Sequence, residues 1–225
     1  DTGSFFLNTG AAIAQFLSTP QNPTKKTSAE FVLDDDSDIA SYRYQLDDSG
    51  YSTETDVSLP IQFSVLNEGI HIIEVIGKNN AGTWQLEETP TSFEWLIDAT
   101  GPTVTIAIDG GAVPTNDVTP SLLLTFIDAG VGSEGAKVGF SCNEVTWPTE
   151  FEPFSESKNN FNITSGAGCT AQDGMKTIFV QGQDSLGNFG PISQTPEFEL
   201  DTTPPTITGL SNDLIPTRSK TWNWD

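Results

Sequence analysis

Basic side chains are few in this chain: nine Lys plus Arg stand against 31 Asp plus Glu in 225 residues, a formal net charge of −22. A surface of that sign repels nucleic acid and anionic membranes at long range and attracts cations, which argues against nucleic-acid binding and membrane insertion. There is one histidine, His71. No Gly-x-Ser-x-Gly elbow, Walker loop or dinucleotide fingerprint accompanies it, and no pair of carboxylates stands out from the acidic background. The expectation is therefore a protein without catalytic residues. No run of about 18 apolar residues exists to cross a membrane as a helix. No basic-then-apolar leader opens the chain, so an export signal is expected to lie outside it. A helical hydrophobic period is missing throughout.

What is present reads as β-structure. Hydrophobic residues make up 36% of the chain, with five Trp and 14 Phe, enough to fold despite the charge. The length accommodates two domains with proper cores. Abundant Asn, Thr, Ser, Gly and Pro suit an extracellular β-protein. Two cysteines, Cys142 and Cys169, are expected to form one disulfide in an oxidising compartment, with a pair of buried thiols as the alternative.

The chain is punctuated by two similar segments 103 residues apart, Asp98-Ala-Thr-Gly-Pro-Thr-Val-Thr105 and Asp201-Thr-Thr-Pro-Pro-Thr-Ile-Thr208. Proline fixes φ, removes a backbone donor and holds its predecessor extended, so each reads as a stiff connector between β-rich units. A spacing near 100 residues suits an immunoglobulin-like sandwich. Before the first connector, short segments at 29–33, 41–46, 60–66, 69–76 and 92–97 alternate apolar and polar residues or concentrate β-formers, with turn signals between them. His71 is expected to face outward in the strongest of these.

The second unit repeats the plan at 104–108, 121–127, 137–142, 161–163, 176–181 and 197–200, with a distinctive loop at 143–160 rich in Phe, Pro and Glu. A shift of 105 residues places Gly69 on Gly174, Gly77 on Gly182, Gly82 on Gly187 and Trp84 on Phe189. In each unit an apolar-x-apolar strand runs into an aspartate: Asp34, Asp128 and, at a third start, Asp225. The expected organisation is an extension at 1–13, sandwiches at 14–98 and 99–200, and the beginning of a further module at 201–225.

Tyr42-Arg-Tyr-Gln-Leu-Asp47, Gly69-Ile-His71, Gly82-Thr-Trp84, Asp173-Gly-Met-Lys-Thr-Ile-Phe-Val180, Asp184-Ser-Leu-Gly-Asn188 and Asp201-Thr-Thr-Pro-Pro205 together resemble the bacterial Ig-like tandem repeats of large cell-surface, adhesin-type proteins. The resemblance covers most of residues 14–225. It implies a structural or adhesive role at the cell surface, neighbouring modules or copies of the chain as partners, and no catalytic residues.

Several sites stay open at this level. Asp34, Asp35, Asp36 and Asp38 form an acidic turn that either coordinates calcium or is simply solvated. The connector aspartates Asp98 and Asp201, with Asp184 and Asn188, or Asn79 in the first unit, either bridge a calcium ion between units or cap local turns. Trp84 and Trp95 read as core. Trp147, Phe151 and Phe154 in the long loop are the candidates for contact with surface glycans or proteins. Asn162 heads a glycosylation sequon. The terminal segments 1–13 and 206–225 are the ones able to join copies into a filament by strand addition.

Overall fold

The structure is a computed structural model that describes residues 13–35 and 38–206. Every regular element among them is a β-strand. In the first half these are β1 (Phe16–Ser18), β2 (Ala29–Leu33), β3 (Ile39–Leu46), β4 (Thr55–Asp56), β5 (Ile61–Phe63), β6 (Gly69–Asn79) and β7 (Thr91–Ile97). They form two antiparallel sheets, β1-β2-β5 and β4-β3-β6-β7. Three strands facing four is the arrangement of an Ig-like sandwich.

Alternation explains which face each strand buries. Ala29, Phe31 and Leu33 of β2 are buried while Glu30 between them is exposed, as a period of two requires. Phe31 reaches across to the other sheet, its ring centroid 5.2 Å from that of Trp95 on β7. Ile73 and Val75 of β6 and Ile97 of β7 complete that core.

The second half contains β8 (Thr103–Ile108), β9 (Leu122–Ile127), β10 (Lys137–Ser141), β11 (Glu152–Pro153), β12 (Ser157–Lys158), β13 (Gly174–Lys176), β14 (Phe179–Gln183), β15 (Ser193–Gln194) and β16 (Phe198–Leu200). Its sheets are β12-β9-β8, β11-β10-β14-β15 and the pair β13-β16. The buried apolar residues gather around Val104, Leu122, Val138, Ile163, Val180 and Leu200. This cluster shares no residue with the one that contains Phe31 and Trp95.

Pairing makes the two halves comparable strand by strand. In the first, β3 pairs β6 with Ser41 opposite Lys78 and Arg43 opposite Ile76. In the second, β10 pairs β14 with Lys137 opposite Gln183 and Gly139 opposite Gln181. Since 78 and 183, and 76 and 181, are 105 apart, Ser41 corresponds to Lys137 and Arg43 to Gly139. The matched glycines share backbone conformations: φ is 121° at Gly69 and 125° at Gly174, and 86° at Gly82 and 84° at Gly187. L-residues avoid this region, which accounts for glycine at both members of each pair.

Three strand expectations are corrected. Residues 161–163 form no strand: Asn162 Oδ1 accepts the Thr164 and Ser165 amides (2.8 and 3.1 Å), bending the chain, although Ile163 is fully buried. The expected strand at 176–181 is broken at Ile178. Its amide donates to Thr195 Oγ1 and its carbonyl accepts the Thr195 amide, so β13 and β14 belong to different sheets. The 143–160 loop contains β11 and β12, short edge strands. Residues 1–12 and 207–225, on which the filament reading and the third module rest, lie outside the described residues, as do Asp36 and Ser37.

Candidate functional site

At the end of β7 the chain is held by backbone pairing: the Thr24 amide donates to Leu96 O and the Asp98 amide to Thr24 O, each at 2.9 Å. Glu68, just before β6, reaches the connector and accepts the Ala99 amide (2.8 Å) and the Thr100 hydroxyl (2.5 Å). The connector therefore leaves the first sandwich in one direction. Asp98, however, directs its side chain into the second. Its Oδ2 accepts the Val131 amide at 3.0 Å, its backbone carbonyl accepts Asn188 Nδ2 at 2.9 Å, and the residue is only 3% exposed.

Three carboxylates converge there. Asp98, Asp128 at the end of β9 and Asp184 in the turn after β14 each place an oxygen within 4.8 Å of the others. Asp184 is fixed by Asn188, whose amide and Nδ2 donate to Oδ1 and Oδ2 at 2.8 and 2.7 Å. Asp128 Oδ1 accepts the Gly130 amide at 2.9 Å, while its Oδ2 is buried with no donor. Gly130 is the glycine this geometry demands: a Cβ there would lie 2.1 Å from the Asp98 carboxyl carbon. Burial, the largest influence, pushes the Asp98 carboxyl above its usual range. The Val131 amide pulls it down, and the charges of Asp128 and Asp184 push it up again. Three hard oxygen donors so close, one without a hydrogen-bond donor, have the chemistry of a divalent-cation site, in which calcium would be held by these carboxylates.

Of the two connector aspartates, Asp98 lies in this group and Asp201 does not. Asp98, Asp184 and Asn188 are brought together. The sequence marks Asp128 only as a strand-end aspartate. The recurrence of that aspartate in every unit was the signal available in sequence for it. Asp201 is not part of the cluster, because it ends the second sandwich as Asp98 ends the first. The Asp201 amide donates to Thr115 O (3.0 Å), and its Oδ1 accepts the Thr203 amide (3.0 Å). Asp173 binds the hydroxyls of Thr202 and Thr203, each at 2.7 Å, repeating the role of Glu68. Among the described residues, Asp34, Asp35 and Asp38 do not form a group of three metal-ligating side chains.

Cys142 and Cys169 form a disulfide, with Cα atoms 4.8 Å apart. It stands at the base of the long loop. Trp147 and Phe151 lie together on that loop, ring centroids 6.2 Å apart. Phe154 is not with them: it turns inward and packs on Phe126 at 5.1 Å, against the core. Asn162 is exposed. Trp95 is core, but Trp84 lies on the outside of its sheet under the Arg43 guanidinium, 4.7 Å from the ring centroid.

His71 faces inward, contrary to expectation, on the same side of β6 as Ile73 and Val75. Its Nδ1 is 2.7 Å from Asp47 Oδ2 and its Nε2 2.9 Å from Asn67 O, and the ring lies beside Trp95. Both neighbours accept hydrogen bonds, so only the doubly protonated ring satisfies both. Burial lowers the imidazole's proton affinity, but the Asn67 carbonyl and Asp47 outweigh it and leave the pKa raised.

No family model matches the chain, and no curated protein matches it. Solved structures similar to it include the fibronectin(III)-like modules of Clostridium thermocellum CbhA, at 11% identity and TM-score 0.39, covering 84% of this chain and 94% of that one. A second is a structure of a 1.5-MDa bacterial ice-binding adhesin, at 16% identity and TM-score 0.46, covering 86% of this chain and 66% of that one. A third is the D00-D0 domain of intimin, at 10% identity and TM-score 0.39, covering 84% of this chain and all of that one (100%).

Proposed function

We propose that the chain is a length of an extracellular spacer, in which sandwiches 14–98 and 99–200 are set end to end in a bacterial surface protein. Its task is to hold distance and direction. The observation that carries this reading is the seating of Asp98: a connector residue is 3% exposed because its side chain and carbonyl are bound by the following unit. A flexible linker would leave such a residue in water. Glu68 fixes the connector to the unit before and Asp98 fixes it to the unit after, so the joint resists bending from both sides. The negative surface disfavours association between neighbouring rods.

Calcium at Asp98, Asp128 and Asp184 belongs to the same proposal. It would satisfy Asp128 Oδ2, screen three carboxylates from one another and stiffen the joint. Small-angle scattering and NMR relaxation on the purified chain test both parts. A fixed joint gives one rotational correlation time for the two units, and Asp98→Ala gives two. Independent tumbling of the unaltered chain would remove the spacer reading. Calcium is expected to raise the melting temperature over a chelator control in the unaltered chain but not in Asp128→Asn. Equal melting with and without calcium would remove the metal while leaving the spacer in place.

A further inference from the structure

The outer faces of the two four-stranded sheets correspond position by position, and they differ beside the edge strand. On the first unit that face is closed by its own charges. Lys78 Nζ bonds both oxygens of Glu54 at 3.0 and 3.1 Å, the Ser41 hydroxyl donates to Glu54 at 2.6 Å, and both Arg43 and Lys78 lie over the Trp84 ring. A cation over an indole face, anchored by a carboxylate, is a saturated arrangement.

The register gives the second unit's residues at these positions. Arg43 corresponds to Gly139, Lys78 to Gln183 and Trp84 to Phe189. The edge strand pairs Tyr42 with Thr55 in the first unit and Val138 with Glu152 in the second, so Glu54 corresponds to Phe151. Both cations and their carboxylate are gone. Phe151 lies against Gly139, where a Cβ would come within 2.3 Å of its ring, and meets Phe189 edge-on at 5.5 Å. Trp147 extends this aromatic floor, its indole held by a 2.9 Å bond from Nε1 to Glu144 O. Phe189 remains 56% exposed.

The result is a cleft of about 590 Å³ with aromatic rings on its floor and polar groups along its edge. Lys137, Glu150 and Gln183 border it, and none makes a side-chain hydrogen bond or ion pair among the described residues. The rim carries one positive and one negative charge in a chain of net −22, which favours an occupant without net charge. A cationic side chain would find Phe151 where the first unit offers Glu54. A flat ring with C–H faces and hydroxyl edges matches both the floor and the rim.

We propose that this face of the second unit binds a neutral pyranose of an extracellular glycan, stacked on Trp147 and Phe189 with its hydroxyls directed to Gln183, Lys137 and Glu150. The test is a titration of the full chain with maltohexaose, cellohexaose and chitohexaose. Polygalacturonate and an oligolysine peptide serve as charged probes, and binding is read by tryptophan fluorescence and amide chemical shifts. The expected result is saturable binding of at least one neutral hexasaccharide, with shifts at Gln181, Gln183 and Phe189. Trp147→Ala and Phe189→Ala should each weaken it at least tenfold, with amide shifts away from the cleft unchanged to show that the second unit stays folded. Trp84→Ala should leave it unchanged. The proposal is overturned if no neutral hexasaccharide binds at millimolar concentration, if only a charged probe binds, or if binding survives both substitutions.

Discussion

Reducing the disulfide is expected to destabilise one half of the chain and leave the other alone. Cys142 and Cys169 are 27 residues apart, and closing a loop of that length removes unfolded-state entropy worth about 3.5 kcal/mol at 25 °C in the chain-entropy model. For a unit of roughly 100 residues, 1 kcal/mol moves the melting temperature by about 4–8 °C, so the loss corresponds to about 14–28 °C. Engineered bridges often return less than the model value, but half of it remains a clear shift. Both cysteines are only partly buried, so Cys→Ser at the two positions adds no large packing defect. Scanning calorimetry of the oxidised chain, the reduced chain and the double Ser variant should show a lower-temperature transition appearing on reduction, carrying about half the enthalpy. The other transition should stay in place, because the core around Phe31 and Trp95 shares no residue with the one around Val180. A single transition that moves as a whole would show that the halves unfold as one, and a shift below about 4 °C would show that the bridge closes nothing the unfolded chain is free to lose.

Three other outcomes follow from named contacts. His71 has a raised pKa in the folded chain, so its stabilising share is present below its unfolded value of 6.5 and is lost as pH rises through the folded value. The first unit's melting temperature should therefore fall on the alkaline side of that window, and His71→Gln should flatten the profile. A profile that rises there instead would contradict the geometry. Gly182→Ala would set a Cβ 2.5 Å from Val104 Cγ2 and 2.9 Å from Pro102 Cγ, an overpacking expected to cost about 1–3 kcal/mol in chemical denaturation of the second unit. An unchanged midpoint would mean the chain accommodates the methyl freely. Asp173 is held below its usual pKa by the Thr202 and Thr203 hydroxyls, so its hold on the connector is present above its ordinary 3.8 and lost as pH falls through the folded value. Asp173→Ala should accelerate amide exchange at Thr202 and Thr203 without lowering either melting transition, and unchanged exchange would remove the latch.

How much of this was legible in the residues depends on whether the determinant was local. Proline connectors, alternating strands and positive-φ glycines are local, and the structure places strands and turns at most of the expected positions. The phase of β6 was not legible, because Ile70 and Ile72 are as apolar as the buried Ile73. What turns His71 inward is Asp47, 24 residues away, together with Trp95. Phe154 too is placed by a distant partner. Trp147, Phe151 and Phe154 share a loop, but Phe151 and Phe154 flank an edge strand, Glu152–Pro153, that sends one outward and the other to Phe126. Asp128 lacked a local mark beyond its recurrence, since its partners lie 30 and 56 residues away in sequence.

The correspondence between the units separates what a module needs from what it is free to vary. Glu68 and Asp173 differ in side-chain length yet both hold their connectors, Glu68 through the Ala99 amide and Thr100 hydroxyl and Asp173 through the Thr202 and Thr203 hydroxyls, and Asp98 and Asp201 are backed by the same backbone pairing to Thr24 and Thr115. The glycines at 69, 77 and 82 recur at 174, 182 and 187: φ is positive at 69, 82, 174 and 187, and a Cβ would come within 2.7 Å of Ile39 Cγ2 at Gly77 and 2.5 Å of Val104 Cγ2 at Gly182. The hydrogen bonds of Glu68, Asp98, Asp173 and Asp201 hold the connectors, while these glycines set turns and close packing within each unit. The outer sheet face carries no such constraint. There a carboxylate, two cations and an indole have become phenylalanine, glycine, glutamine and phenylalanine without altering the register of β10 on β14. A chain built this way can hold its joints constant and vary its exposed faces. On that asymmetry, the proposed cation site lies where the connector is held, and the proposed glycan site lies on a face the fold leaves free to vary.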